Sequence, residues 1–146
     1  AAIADGTVDC IATDHAPHAE REKYPRGKGI IPDDGSLVDG KAFSEAPNGI
    51  IGLQTSFALG MTFLVEAGHI TLERLIELMS VNPAGIIGRE ASLRAGADAD
   101  IVVFSPDENF VLSRSLLRSK SSNTPFMGLP LRGAVRNLVV GGRRVI

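Results

Sequence analysis

Hydrophobic positions follow two different rhythms along the chain. Val8, Cys10, Ile11 and Ala12 form a short apolar run broken only by Asp9, the pattern of a strand buried on both faces. Ahead of it, residues 1–4 read as the end of a helix, with Asp5-Gly6 as its stop signal. Ile50, Leu53, Phe57, Met61, Leu64 and Val65 then recur at helical spacing, predicting a helix over 52–66 fed by a Pro47-Asn48-Gly49 turn and stopped at Gly68. A second helix is predicted after Thr71 as N-cap, with Leu72, Leu75, Ile76 and Met79 on its apolar face. Asn82-Pro83 ends that helix and is read as the cap of a shorter one closed by Gly88.

Further on the rhythm turns to β: Ile101 to Phe104, Phe110 to Leu112, and Val135 to Val140. Gly141-Gly142 precedes Arg143 to Ile146 and predicts a two-residue hairpin. The chain thus divides into an α/β part, residues 1–89, and a β part, residues 90–146. Residues 20–41 keep neither rhythm. They carry charges, Gly27, Gly29, Gly35, Gly40, Pro25 and Pro32, and read equally as a lid or a surface excursion.

The 20 uncharged residues 46–65 raise the question of a membrane span. Pro47, Asn48, Gln54, Gly49, Gly52 and Gly60 dilute the stretch, whereas a spanning helix needs about 20 predominantly apolar residues. The expectation is a core helix and no membrane partner. The charge balance, 15 Lys+Arg against 17 Asp+Glu, gives a net −2 and argues against nucleic acid as a partner. With 44% apolar and 22% charged residues the composition is that of a globular protein. The single cysteine, Cys10, closes no internal disulfide.

The chemistry concentrates in Thr13-Asp14-His15-Ala16-Pro17-His18, where the predicted parallel strand ends. Catalytic groups gather at such ends because the loops vary while the sheet holds position. A carboxylate and two imidazoles there suit a metal, a proton transfer or an anion, but each is also an ordinary loop residue. His69, in the turn between two helices, is read as structural.

Four further motifs follow in order: residues 46–55 (Ala-Pro-Asn-Gly-Ile-Ile-Gly-Leu-Gln-Thr), Asn82-Pro83-Ala84, Gly96 through Ala99-Asp100-Ile101, and residues 119–128. With these five motifs the sequence resembles the bacterial class I dihydroorotases of the amidohydrolase superfamily, over essentially its whole length and over their C-terminal third. The resemblance implies an α/β fold: the C-terminal end of a (β/α)8 barrel, in residues 1–89, and part of a small β-sandwich module, in 90–146.

It also implies a cytoplasmic, zinc-dependent enzyme of pyrimidine synthesis that interconverts dihydroorotate and N-carbamoyl-L-aspartate. Asp14 matches the aspartate that contacts the metal and moves the proton, His18 the histidine that holds a substrate carboxylate, and Gly49 a backbone N–H facing substrate. His15 carries no assigned role. A homo-oligomer is expected, with aspartate carbamoyltransferase as a further partner.

Most of the family's metal ligands lie on earlier strands, and this chain has three histidines and no His-x-His. Position 1 is Ala, and the chain is expected to be a truncated dihydroorotase, inactive and poorly soluble alone. Between His18 and Ala46 lie 27 residues, more than the family pattern leads one to expect, with the surplus placed in 23–41. Two other readings stay open: a non-catalytic dihydroorotase-like partner of aspartate carbamoyltransferase, and a cyclic amidohydrolase of the hydantoinase or allantoinase type.

Overall fold

A computed structural model describes residues 2–23 and 46–146. The helices are α1 (Glu20–Lys23), α2 (Ser56–Gly60), α3 (Leu72–Ile76) and α4 (Asn82–Ile86). α2 runs on as a π-helical turn, Met61–Val65, and α3 does the same over Glu77–Val81. Among the described residues three strands, β1 (Ile101–Val111), β2 (Pro130–Val140) and β3 (Arg143–Arg144), form one sheet in that order. The chain is an α/β piece that divides into two compact units.

The first unit comprises Ala1–Ala12, Phe57–Phe110 and Pro130–Ile146. Its core is Met61, Ile70, Leu75 and Leu78, with Ile3, Val8, Ile11, Phe57, Leu64 and Met79 packed around them. Burying a Leu or Ile side chain contributes ~1.5–3 kcal/mol, so these apolar positions dominate the unit's stability. Gly60 lets the two helical segments close up, since a Cβ there would lie 2.7 Å from Leu75 Cδ1. Thr71 caps α3 as predicted, accepting the Arg74 N–H at 3.2 Å.

The apolar run at 8–12 is not a strand among the described residues. A strand exists only as a ladder with a neighbour, and among the described residues this run makes two isolated backbone bonds, Val8 N–H to the Ala2 carbonyl at 3.1 Å and Ile11 N–H to the Leu78 carbonyl at 2.9 Å. The segment is otherwise tied down by side chains. Arg74 donates to the carbonyls of Ile3 and Val8, and Asn82 Nδ2 donates to the Asp9 carbonyl at 2.9 Å. Asn82 is therefore no helix cap: α3, its π turn and α4 run on without a break, and the Asn82 side chain holds the neighbouring segment. Residues 2–6 are turns and not the end of a helix; the Asp5 carboxylate accepts the Thr7 N–H and hydroxyl.

The helix predicted over 52–66 begins only at Ser56. Leu53 lies ahead of it, 67% exposed, and so drops out of the apolar stripe, as does the exposed Ile50. No helix of the described residues is long and apolar enough to cross a membrane. Exposed apolar side chains also include Ile86, Ile87 and Leu93.

Two predicted strands, 101–104 and 110–112, are one, because the polar Ser105-Pro106-Asp107-Glu108 stretch stays in β1. β1 is an edge of the sheet, where a missing N–H is tolerated. Arg132 of β2 secures the stretch, donating through Nε to the Pro106 carbonyl at 3.0 Å and pairing with Asp107, while Arg136 pairs with Glu108. The hairpin at Gly141-Gly142 forms as predicted, pairing Val139 with Arg144 and Val140 with Arg143. The motif at 96–101 anchors it: Gly141 N–H donates to Asp100 Oδ1 at 2.7 Å and Gly142 N–H to the Ala99 carbonyl at 3.0 Å.

The second unit comprises Thr13–Ser56 and Val111–Leu129. Its described residues have little regular structure beyond α1 and the 3-10 turn Arg114–Leu116, and they are tied together by side-chain-to-backbone hydrogen bonds. Of the segment expected to lack structure, Glu20–Lys23 is the helical turn α1. The lid-or-excursion expectation otherwise falls on residues 24–41, outside those described.

Candidate functional site

All three candidate residues, Asp14, His18 and Gly49, lie in the second unit, on two segments running alongside in opposite senses. Ala16 N–H donates to the Ile50 carbonyl at 2.9 Å. A Cβ on Gly52 would stand 3.0 Å from the Thr13 carbonyl oxygen, and one on Gly49 only 2.5 Å from Ala16 Cβ. Gly49 has φ +100°, a conformation that glycine adopts without steric cost. The glycines of Pro47-Asn48-Gly49-Ile50-Ile51-Gly52 thus allow this backbone to lie directly on the Asp14–His18 loop.

Asp14 is exposed and has φ +42°, the one non-glycine residue with a positive φ among those described. The left-handed region costs an L-residue ~1–2 kcal/mol, least for Asp and Asn. Such conformations persist where surrounding contacts fix the backbone, and they cluster at functional sites. Here the fixing contacts are on the next residues. His15 Nδ1 accepts the N–H groups of Gly52 at 3.0 Å and Leu53 at 3.4 Å. In accepting, Nδ1 carries no proton, so the ring proton sits on Nε2. His15 is the bolt that joins the Asp14 loop to the glycine segment, a role the sequence reading did not give it.

His18, half-buried, presents Nε2 to the Asn48 carbonyl at 2.9 Å, and its Nδ1 lies 3.9 Å from the Glu22 carboxylate on α1. Its backbone is equally engaged. His18 N–H donates to Asn123 Oδ1 at 3.3 Å, and the His18 carbonyl accepts the Ser121 hydroxyl at 2.6 Å. Asn123 is 6% exposed, and its Nδ2 donates to the carbonyls of Ala16 at 2.9 Å and Gly49 at 3.3 Å. The Asn123 carbonyl takes the Ile51 N–H at 3.0 Å. Gln54 does a similar service nearby: its amide donates to the Leu116 carbonyl and accepts the Arg118 N–H.

The structure therefore brings His18 and Gly49 together through a third segment, and Asp14 follows by chain connection. Asn123 stands inside the motif at 119–128, and its signal was visible there: an amide in a Ser/Thr-rich loop without a helix or strand to serve. What the sequence did not reveal was its partners, 105 and 107 residues away.

Among the described residues no group of three His, Cys, Asp or Glu side chains is placed to hold a metal ion. His15 Nδ1 and His18 Nε2 are both committed to backbone groups, so each ring could offer a metal only its other nitrogen, beside the Asp14 carboxylate. A zinc centre takes three or four protein ligands. The donor set of these residues alone does not fit one.

The sequence profile of the amidohydrolase family matches residues 1–145. The chain belongs to the amidohydrolase family. Within it, the chain is 40% identical over 141 residues to a protein named dihydroorotase from Caldanaerobacter subterraneus subsp. tengcongensis, covering 97% of this chain and 29% of that protein. It is 47% identical over 132 residues to one of the same name from Chlorobaculum tepidum, covering 90% of this chain and 26% of that protein. The chain spans about 30% of the length of the curated relatives it matches. Among solved structures, L-hydantoinase (dihydropyrimidinase) from Arthrobacter aurescens superposes with a TM-score of 0.81 at 31% identity, over 99% of this chain and 30% of that one. The family membership and the α/β character expected from the five motifs are both borne out.

Proposed function

We propose that this chain serves a zinc-dependent dihydroorotase, as the C-terminal part of its barrel (1–89) and strands of its β-module (90–146). The reaction is the reversible opening of the dihydroorotate ring to N-carbamoyl-L-aspartate, in cytoplasmic pyrimidine synthesis. The observation that carries the reading is the interlocked loop pair: Asp14 in a strained conformation on one segment, Gly49 packed against the same loop at Ala16 on the other.

In this reading Asp14 moves the proton; an exposed carboxylate with a fixed backbone is suited to reach a reacting group and exchange protons with it. His18 and the Gly49 N–H hold the substrate carboxylate. A charge-assisted hydrogen bond contributes ~1.5–3 kcal/mol, enough to favour an acidic ring over a neutral one. Since Nε2 of His18 donates to the Asn48 carbonyl, the Nδ1 edge beside Glu22 is the one that would meet the ligand, and it donates to a carboxylate only in the imidazolium form, with both ring nitrogens protonated. Zinc bound in the complete enzyme would supply electrophilic polarisation, with Asp14 the one ligand proposed from this chain.

Two relatives named dihydroorotase, 40% and 47% identical, support this substrate over the hydantoin-type ring suggested by the solved neighbour at 31%. The hydantoinase reading is the second choice, carried by that neighbour's TM-score of 0.81.

The test is the complete protein assayed on dihydroorotate and on hydantoin, as wild type and as Asp14→Asn. Turnover of dihydroorotate that falls by about 10²–10⁴-fold in the variant is expected. Turnover of hydantoin but not dihydroorotate would establish the second reading. A wild type inert on both but binding aspartate carbamoyltransferase would mark a scaffold.

A further inference from the structure

We propose that Asn123 is a positioning residue that sets the spacing between the two groups assigned above to the substrate carboxylate. The inference rests on that assignment. One carboxamide makes three bonds: Oδ1 to the His18 N–H at 3.3 Å, and Nδ2 to the Ala16 carbonyl at 2.9 Å and the Gly49 carbonyl at 3.3 Å. It thereby holds the backbone of both carboxylate-binding residues, and of the loop between Asp14 and His18, from a single planar group.

Only an amide offers two donors and an acceptor in this geometry. At 6% exposure water does not readily replace it, so each lost bond leaves a part-buried backbone group without its partner. The Asn123 carbonyl extends the clamp to Ile51, and Ser121 Oγ extends it to the His18 carbonyl at 2.6 Å. Ser121 and Asn123 of the 119–128 motif thus brace the substrate-recognising residues without touching substrate themselves.

Removing the donors should loosen His18 and Gly49 relative to each other while leaving the Asp14 carboxylate in place. Ground-state binding of the acidic ring then suffers more than the chemical step, which appears as a KM effect. Asn123→Asp keeps the Oδ1 acceptor and the shape but loses both donors. Asn123→Ser keeps one donor and is the milder change. Thr124→Val is the control: Thr124 is equally buried, and its hydroxyl accepts the Phe126 N–H at 3.3 Å, away from His18 and Gly49.

The experiment is steady-state kinetics on dihydroorotate with the complete protein, together with a melting temperature for each variant. The expected result is a KM raised about tenfold or more in Asn123→Asp, less in Asn123→Ser, with kcat within about threefold of wild type. Thr124→Val should lower the melting temperature and leave KM unchanged. KM within twofold of wild type in both Asn123 variants overturns the inference, as does an equal KM rise in Thr124→Val. A wild type without dihydroorotate turnover fails earlier and overturns the functional reading itself.

Discussion

Replacing Gly49 by alanine places a methyl group where the structure has no room, and the consequence is large enough to measure. Two costs add. At φ +100° an L-residue is strained by ~1–3 kcal/mol whatever surrounds it. The new Cβ would also stand 2.5 Å from Ala16 Cβ, against an ordinary carbon–carbon contact of about 3.5–4.0 Å. Relieving such an overlap typically costs ~1–3 kcal/mol, and Ala16 cannot simply retreat, because its N–H and carbonyl are held by Ile50 and Asn123. The sum is ~2–6 kcal/mol.

Gly68→Ala isolates the backbone-strain contribution. Gly68 also has a positive φ, +73°, but nothing lies within 4 Å of its missing Cβ. That variant should lose only ~1–2 kcal/mol. Native-state hydrogen exchange reads Gly49→Ala through the amides of Ala16, Ile51 and Gly52, whose bonds knit the two segments, and Gly68→Ala through those of His69 and Ile70, which donate to the Leu64 carbonyl. In Gly49→Ala the first three amides should exchange at least about 30-fold faster, the equivalent of ~2 kcal/mol. Unchanged protection there, or equal losses of stability in the two variants, would refute the close-packing argument.

Three other outcomes follow from the first unit. Leu75→Ala should cost ~2–5 kcal/mol in urea unfolding, since Leu75 is fully buried against Gly60 at the centre of the core. Thr71→Ala should cost ~0.5–2 kcal/mol and speed exchange of the Arg74 amide, which loses its cap acceptor. Asp5 and Glu90 are held below the ordinary carboxylate range, Asp5 by the Thr7 hydroxyl and N–H and Glu90 by the Arg94 guanidinium. Their contribution is therefore present above the ordinary carboxylate range and disappears as pH falls through the lowered values. A titration by NMR should show Asp5 moving up towards the ordinary carboxylate range in Thr7→Val, which loses the hydroxyl donor and keeps the N–H.

The helices and the hairpin were legible in the sequence because their causes are local. Thr71 as a cap, the Leu72, Leu75, Ile76 and Met79 face, and Gly141-Gly142 each act within a few residues. The same is true of the chemistry: Asp14, His15 and His18 stand within five residues of one another, and their clustering needs no fold to be seen. Where sequence reasoning failed, the deciding partner was distant. The 8–12 run has strand composition, but its bonds go to Arg74, Leu78 and Asn82, and composition alone does not supply a ladder. The strands expected at 101–104 and 110–112 are separated by polar sequence, yet an edge position and Arg132 keep Pro106 and its neighbours in β1.

The sequence by itself determined which residues are apolar, which can turn, and which carry a proton or a charge, and its ordered motifs determined the family. Only the tertiary structure decided what holds the candidate site. That task falls to His15, Asn123 and two glycines, none of them remarkable in composition. Their roles are set by backbone groups up to 107 residues away, and a hydrogen bond of that span leaves no periodic trace in the chain that makes it.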